Sequence, residues 1–284
     1  MSPLHHDIVD AHVHLWDPDL LDYPWLVGSA LHRRIDAETL ERVRGSAAQF
    51  VVVQADCAPG QGDREVAWLS AQARTYPMLR GIVAFAPLGD GAAAYLTDLR
   101  GMASVVGVRR LLQDQPAGFA VRPGFLKDLR VLGELDLPFD ICARAEQLGE
   151  VLDMVTRVPD TYFVLDHLGK PRVGADDSAW RRDIQRLAEQ PHVACKLSGL
   201  ATELVAGAAD LALTLPYLRY VLDLFGPARC MFGSDWPVMT AATTYPAWFD
   251  IVEKALSDYC PDDRGQVFGA TARRVYAISD DIHG

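Results

Sequence analysis

Residues 8–14, Ile8-Val9-Asp10-Ala11-His12-Val13-His14, put two imidazoles two residues apart behind a short apolar run. On a strand, side chains alternate with a period of two, so His12 and His14 share a face. Two imidazoles together can ligate a metal ion or polarise a substrate oxygen. Further polar residues end later apolar runs: Gln54, Arg109, Asp166-His167, Lys196 with Ser198, and Ser234-Asp235. A lone histidine after an apolar run is more often a packed one. A pair, a third imidazole at 167 and a carboxylate at 235 on matching strand ends favour chemistry. Ser198 and Ser234 lack a Gly-x-Ser-x-Gly elbow, so no serine nucleophile is expected. Cys142 reads as a buried structural thiol. His5, His6, His192 and His283 are assigned no role.

Those residues need elements to carry them. Eight short apolar stretches are expected strands: 8–14, 50–54, 81–86, 105–109, 138–142, 162–167, 192–198 and 230–235. Most are near-continuously apolar, as strands buried on both faces are. They begin roughly 25 to 45 residues apart, about the length of a βα unit. Helical spacing and punctuation predict helices over 37–47, 64–75, 92–102, 123–135, 145–158, 178–189, 211–225, 247–259 and 262–276, with Asp36, Asp63 and Asp90 near three of the starts. Eightfold strand–helix alternation predicts an α/β fold, a single (β/α)8 TIM-type barrel forming one domain over residues 1–284. A doubly wound open sheet would place a glycine-rich turn after its first strand, where this chain has His-Val-His-Leu-Trp. In a barrel the strand ends listed above share the carboxyl-end mouth, where chemistry is sited. The aromatic-rich link 15–36, with Trp16, Tyr23 and Trp25, is expected to wall or cover that mouth.

Composition narrows the classes. The 284 residues carry a formal charge of -11, against nucleic-acid binding. No apolar run reaches the roughly 18 residues of a membrane span. The N-terminus lacks the pattern of a signal peptide, so the cytoplasm is the expected location. The 5 cysteines are widely spaced with no Cys-x-x-Cys, which suggests reduced thiols.

Several motifs carry a resemblance. Asp10-Ala11-His12-Val13-His14 and Gly233-Ser234-Asp235-Trp236-Pro237 resemble the amidohydrolase superfamily. Tyr23-Pro24-Trp25-Leu26, Asp166-His167-Leu168-Gly169-Lys170-Pro171 and Lys196-Leu197-Ser198-Gly199 narrow it to the sugar-lactonase branch, the L-fuconolactonase and L-rhamnonolactonase-like proteins. The resemblance implies hydrolysis of a 1,4- or 1,5-aldonolactone, as in L-fucose catabolism. It implies that Asp235 is the general base, with His12, His14, His167 and Arg109 facing the carbonyl. Trp25, Gln54, Lys170 and Trp236 are candidate sugar contacts, each equally explicable as core or rim.

Departures from the superfamily pattern matter as well. Binuclear members carry a lysine after the fourth strand and a histidine after the fifth, whereas this chain has Val108-Arg109-Arg110 and Ile141-Cys142-Ala143 there. A two-metal site is therefore not expected. One divalent cation on His12, His14, His167 and Asp235 suits zinc, and catalysis with no cofactor stands beside it. The alternatives to a lactonase are a metal-dependent decarboxylase of an aromatic acid and a non-catalytic sugar- or metal-binding barrel. The only partner expected is a small-molecule sugar lactone, and oligomeric state is left open.

Overall fold

Each of the eight apolar runs forms a strand in the computed structural model, which describes residues 8–43, 47, 49–89, 91–204 and 210–278. The expectations for the N-terminal segment, His5, His6, Asp90 and His283 fall outside the described residues. The strands are β1 (Val9–Val13), β2 (Gln49–Val53), β3 (Leu79–Phe85), β4 (Val105–Arg109), β5 (Phe139–Ile141), β6 (Phe163–Leu165), β7 (Val193–Leu197) and β8 (Cys230–Phe232). They pair in parallel in sequence order. Just past β8 the sheet meets β1 again: Val13 and Trp236 form a parallel bridge, Asp235 N–H donates to His12 C=O, and His14 N–H donates to Trp236 C=O, both at 2.8 Å. This is a (β/α)8 barrel.

The intervening helices are α1 (Ala37–Val43), α2 (Gly62–Thr75), α3 (Ala93–Arg100), α4 (Pro123–Glu134), α5 (Leu148–Arg157), α6 (Ser178–Ala188), α7 (Leu215–Phe225) and α8 (Tyr245–Ala255). Asp36 caps α1 by accepting from Thr39 N–H at 2.9 Å. The start of α8 lies two residues before its expected position, because Pro246 fits the first turn and the Thr244 hydroxyl accepts from Ala247 N–H. The expected helix 262–276 is broken by a wider turn at Gln266–Ala270, between α9 (Pro261–Gly265) and α10 (Thr271–Val275). No helix of the described residues is long and apolar enough to cross a membrane.

Strand alternation sorts the core into two layers. Phe50, Val52, Phe139, Phe163, Cys195 and Phe232 pack outward against helices. Small residues, among them Val9, Ala11, Val51, Val83, Val164 and Ala194, fill the barrel interior, and Tyr276 and Ile278 close it at the strand-start end. In β1 the alternation fails once: the register against β2 shifts between Asp10 and Val13. Val9 and Ala11 join the inner layer and Val13 the outer, while His12 meets side chains of the barrel interior. Such an irregularity re-aims a side chain. It leaves His12 and His14 together and sends Asp10 elsewhere.

Asp10 secures the seam. One carboxylate oxygen accepts from Ser234 N–H at 2.9 Å and His12 N–H at 3.1 Å, and the other accepts from the Tyr245 hydroxyl on α8 at 2.9 Å. Burial pushes its carboxyl up to about 6 despite these bonds. Asp10→Ala strands three buried donors and should lower stability by about 2–4 kcal/mol. Tyr245→Phe, which removes one of them, should cost about 1 kcal/mol. Denaturant midpoints measure both, and equal midpoints for Asp10→Ala and the parent would refute the strut.

Candidate active site

The seam puts His12, His14 and Asp235 side by side at the mouth. His12 Nε2 lies 3.1 Å from His14 Nε2, and Asp235 Oδ1 lies 3.7 Å from the former and 3.4 Å from the latter. His14 Nδ1 is 2.8 Å from the Val53 carbonyl oxygen, which only accepts. Nδ1 therefore carries a proton, and Nε2, which faces Asp235, can bond the carboxylate only through a proton or a metal ion held between them. Burial works against the Asp235 carboxylate, but His167, His14 and His12 together hold it well below the ordinary carboxylate range.

Beneath this triangle sits a dry charged network. Asp166 Oδ1 lies 3.2 Å from both His12 Nδ1 and the Lys196 ammonium, and its Oδ2 accepts from Arg109 at 3.2 Å. Lys196 also bonds Asp140, whose two oxygens each accept from the Tyr276 hydroxyl at 2.9 Å. Burial opposes the Asp166 charge, yet Lys196 and His12 win and keep it ionised well below its usual range. Burial keeps His12 neutral, lowering it well below an ordinary imidazole in spite of Asp166.

His167 reaches the mouth from a left-handed stretch after β6. Its φ is 56°, and Leu168 and Lys170 are also positive. Nδ1 lies 2.9 Å from the Ser198 hydroxyl, and a Cβ on Gly199 would come within 2.4 Å of that nitrogen. Glycine at 199 is thus what admits the ring. Gly233 plays the same part for His12, since its Cβ would sit 2.8 Å from that of His12. Asp235 and Asp56 are left-handed too, at φ 62° and 56°. Non-glycine residues in this conformation cost of order 1–3 kcal/mol each and gather where function demands a fixed geometry.

A cavity of about 260 Å³ opens over these groups, walled by His14, Arg109, His167, Lys170, Glu203 and Asp235. Of the expected sugar contacts, Lys170 and Trp25 line it. Lys170 donates to Gln113 at 2.6 Å, and Trp25, in the link expected to wall the mouth, is tied to the Ala55 carbonyl at 2.8 Å. Gln54 opens instead onto a neighbouring cavity, and Trp236 is buried outside both linings. Cys142 lines the site, but burial pushes its thiol up, and its sulfur faces Gln113. Sequence reasoning missed Asp56, Asp114 and Glu203, loop carboxylates around the mouth that no periodicity marks. It also gave Asp140, Asp166 and Lys196 no role. A charge between apolar neighbours in Phe139-Asp140-Ile141 and Cys195-Lys196-Leu197 was the available signal.

The four expected metal ligands do not form one set: three make the triad His12/His14/Asp235, while His167 groups with His12 and Asp166, which was not an expected ligand. The second already has the Lys196 ammonium against it. The first fits a divalent ion: its three atoms, 3.1–3.7 Å apart, span a point at the usual ~2.0–2.2 Å ligand distance.

A buried carboxylate facing imidazoles at the mouth of a (β/α)8 barrel, with Ser198 bonded to His167 and Ser234 to the Trp236 N–H, is an arrangement suited to a hydrolase. The chain belongs to the amidohydrolase family, whose profile matches residues 9–278. It is 33% identical over 297 residues to an L-fucono-1,5-lactonase of Burkholderia multivorans, covering 96% of each chain. A crystal structure of a Burkholderia multivorans amidohydrolase with bound HEPES superposes with a TM-score of 0.87 at 32% identity, covering 96% of this chain and 99% of that one. A second, with bound zinc, gives 0.86 at 30% over the same shares.

Chelator-treated protein titrated with zinc should gain thermal stability through occupation of the first triad. His14→Ala should weaken that binding at least ~10-fold. Lys170→Ala, which alters the cavity but not the triad, should leave it unchanged. Equal zinc affinity in His14→Ala and the parent would place the ion elsewhere.

Proposed function

We propose that this protein hydrolyses a sugar-derived lactone of the L-fucono-1,5-lactone type to its aldonic acid. The observation that carries the reading is Asp235, a carboxylate held ionised beside His14 and open to a cavity where the Thr202 hydroxyl donates to the Gly199 carbonyl and burial pushes the Cys142 thiol up. A lactone is an activated ester that water can open without a covalent intermediate. The lactonase relative, alike over almost its whole length, supports the same chemistry.

Asp235 accepts the proton of the attacking water. Its depressed pKa guarantees the ionised form but weakens it as a base. His12, His14 and Asp235 would hold a divalent ion, zinc by its donor set, which when bound acidifies water or polarises a carbonyl. His167 faces the lactone carbonyl. The Ser198 hydroxyl can donate to Nδ1, and in that tautomer Nε2 bears the proton and stabilises the developing oxyanion. Arg109, fixed by Asp166 and the Gln54 carbonyl, adds positive potential. Lys170 and Trp25 contact the sugar. The charges favour an uncharged substrate: four carboxylates, Asp56, Asp114, Glu203 and Asp235, line the cavity against two cations, Arg109 and Lys170. An aromatic acid would bring its carboxylate into that field, which weighs against a decarboxylase.

Asp235→Asn should lower kcat for L-fucono-1,5-lactone by at least ~100-fold with little change in KM, followed by acid release with a pH indicator. Undiminished turnover would remove Asp235 from the base role. Burial lowers His167 to about 4, against the pull of Asp235 and Asp166. Above that pH it is neutral; below it, an imidazolium beside Asp235 weakens the base further. kcat/KM should therefore be level from about pH 5.5 to 8 and fall only toward pH 4. A limb near pH 6.5, the value of an unperturbed imidazole, would contradict this assignment.

A further inference from the structure

A second cavity of about 410 Å³ adjoins the first, and Trp25, Asp56 and Leu111 line both. The first cavity, at about 260 Å³, has room for one six-carbon aldonolactone. The adjoining one has the makings of a carbohydrate subsite. Trp25 is 42% exposed, and its indole N–H is spent on the Ala55 carbonyl, so its ring is held in place between the chambers. Phe85 offers a second ring. Gln54, 1% exposed, lines this chamber with Oε1 accepting from Asp56 N–H at 2.6 Å. Its Nε2 is buried with no partner. That donor is enclosed, and a ligand oxygen would give it the acceptor it lacks once the amide turns toward the chamber. The Asp56 carboxylate stands at the junction, able to accept from a hydroxyl of either occupant. Aromatic faces with amide and carboxylate groups between them are what a sugar ring needs, apolar on its faces and hydroxylated at its edge. Burial pushes the Cys57 thiol that lines the chamber up to about 12, which keeps it protonated.

Building on the lactonase reading, we propose that the second chamber binds a second sugar ring, so that the preferred substrates are lactones of disaccharide aldonic acids, with the lactone at Asp235 and the glycosyl group beyond Trp25. The reaction is unchanged: water adds to the lactone carbonyl, the ring C–O bond breaks, and the glycosidic bond stays intact.

The test compares cellobiono-1,5-lactone with glucono-1,5-lactone, which share one lactone ring. The parent protein should show kcat/KM about tenfold higher for the disaccharide, the worth of one ring contact and one hydrogen bond, mainly through KM. Ala58→Phe fills the second chamber without touching the first. It should abolish the advantage and leave glucono-1,5-lactone turnover unchanged, which also reports correct folding. Gln115→Trp, at another position in the lining, should do the same. Equal rates for the two lactones, or an advantage that survives both substitutions, overturns the proposal. Should only L-fucono-1,5-lactone be hydrolysed, cellobionate must inhibit that reaction about tenfold more tightly than gluconate, and equal inhibition overturns the proposal as well. If no lactone is opened, the lactonase reading fails by itself, and calorimetric titration with cellobionate and gluconate still decides the second chamber.

Discussion

Closing the barrel is the constraint on which the site depends. β1 and the segment after β8 are far apart in the chain, yet the hydrogen bonds that join them run through the backbones of His12, His14, Asp235 and Trp236. The same bonds that complete the sheet set the distance between imidazoles and carboxylate. Asp10 reinforces the joint from the helix side, and Gly233 allows the two backbones to approach. An error in closure would therefore appear first as a misplaced Asp235.

Below the seam, the barrel interior holds Asp140, Asp166, Lys196 and Arg109 away from water. Buried ion pairs often add little net stability, because desolvation offsets the attraction, although deleting one partner is expensive. Their value here is orientation. His12 has Asp166 and Lys196 on one nitrogen and His14 and Arg109 near the other, so its ring has nowhere else to turn. The network spans β4, β5, β6 and β7 and brings all of them to bear on one imidazole.

Much of this was readable from residue order. Continuous apolar runs at regular intervals announced all eight strands, because burial on both faces leaves a strong local signature. The placement of His12 and His14 on one face was also readable, but the simple reason for it was incomplete. A strict period of two would have set Asp10 on that face as well, whereas the irregularity in β1 sends it to Tyr245 on α8. Pairing across the barrel has no local trace, which is why the bonds from Asp166 to Lys196 and from Asp140 to Tyr276 were illegible. Trp25 was legible as a wall. Trp236 and Gln54 were not placed by sequence, since only the turn of the backbone decides whether a side chain after a strand faces the mouth, the core or a neighbouring chamber.

Tyr276 lies at the far end of the barrel from Asp235, yet its hydroxyl holds Asp140, which bonds the Lys196 that touches His12. The His12 imidazole is thus braced from below by Tyr276, and from the side by the segment that closes the sheet. With only seven strands paired, both histidines would be present without Asp235 or the Tyr276 brace. The three groups of the triangle come together only when the segment after β8 reaches β1.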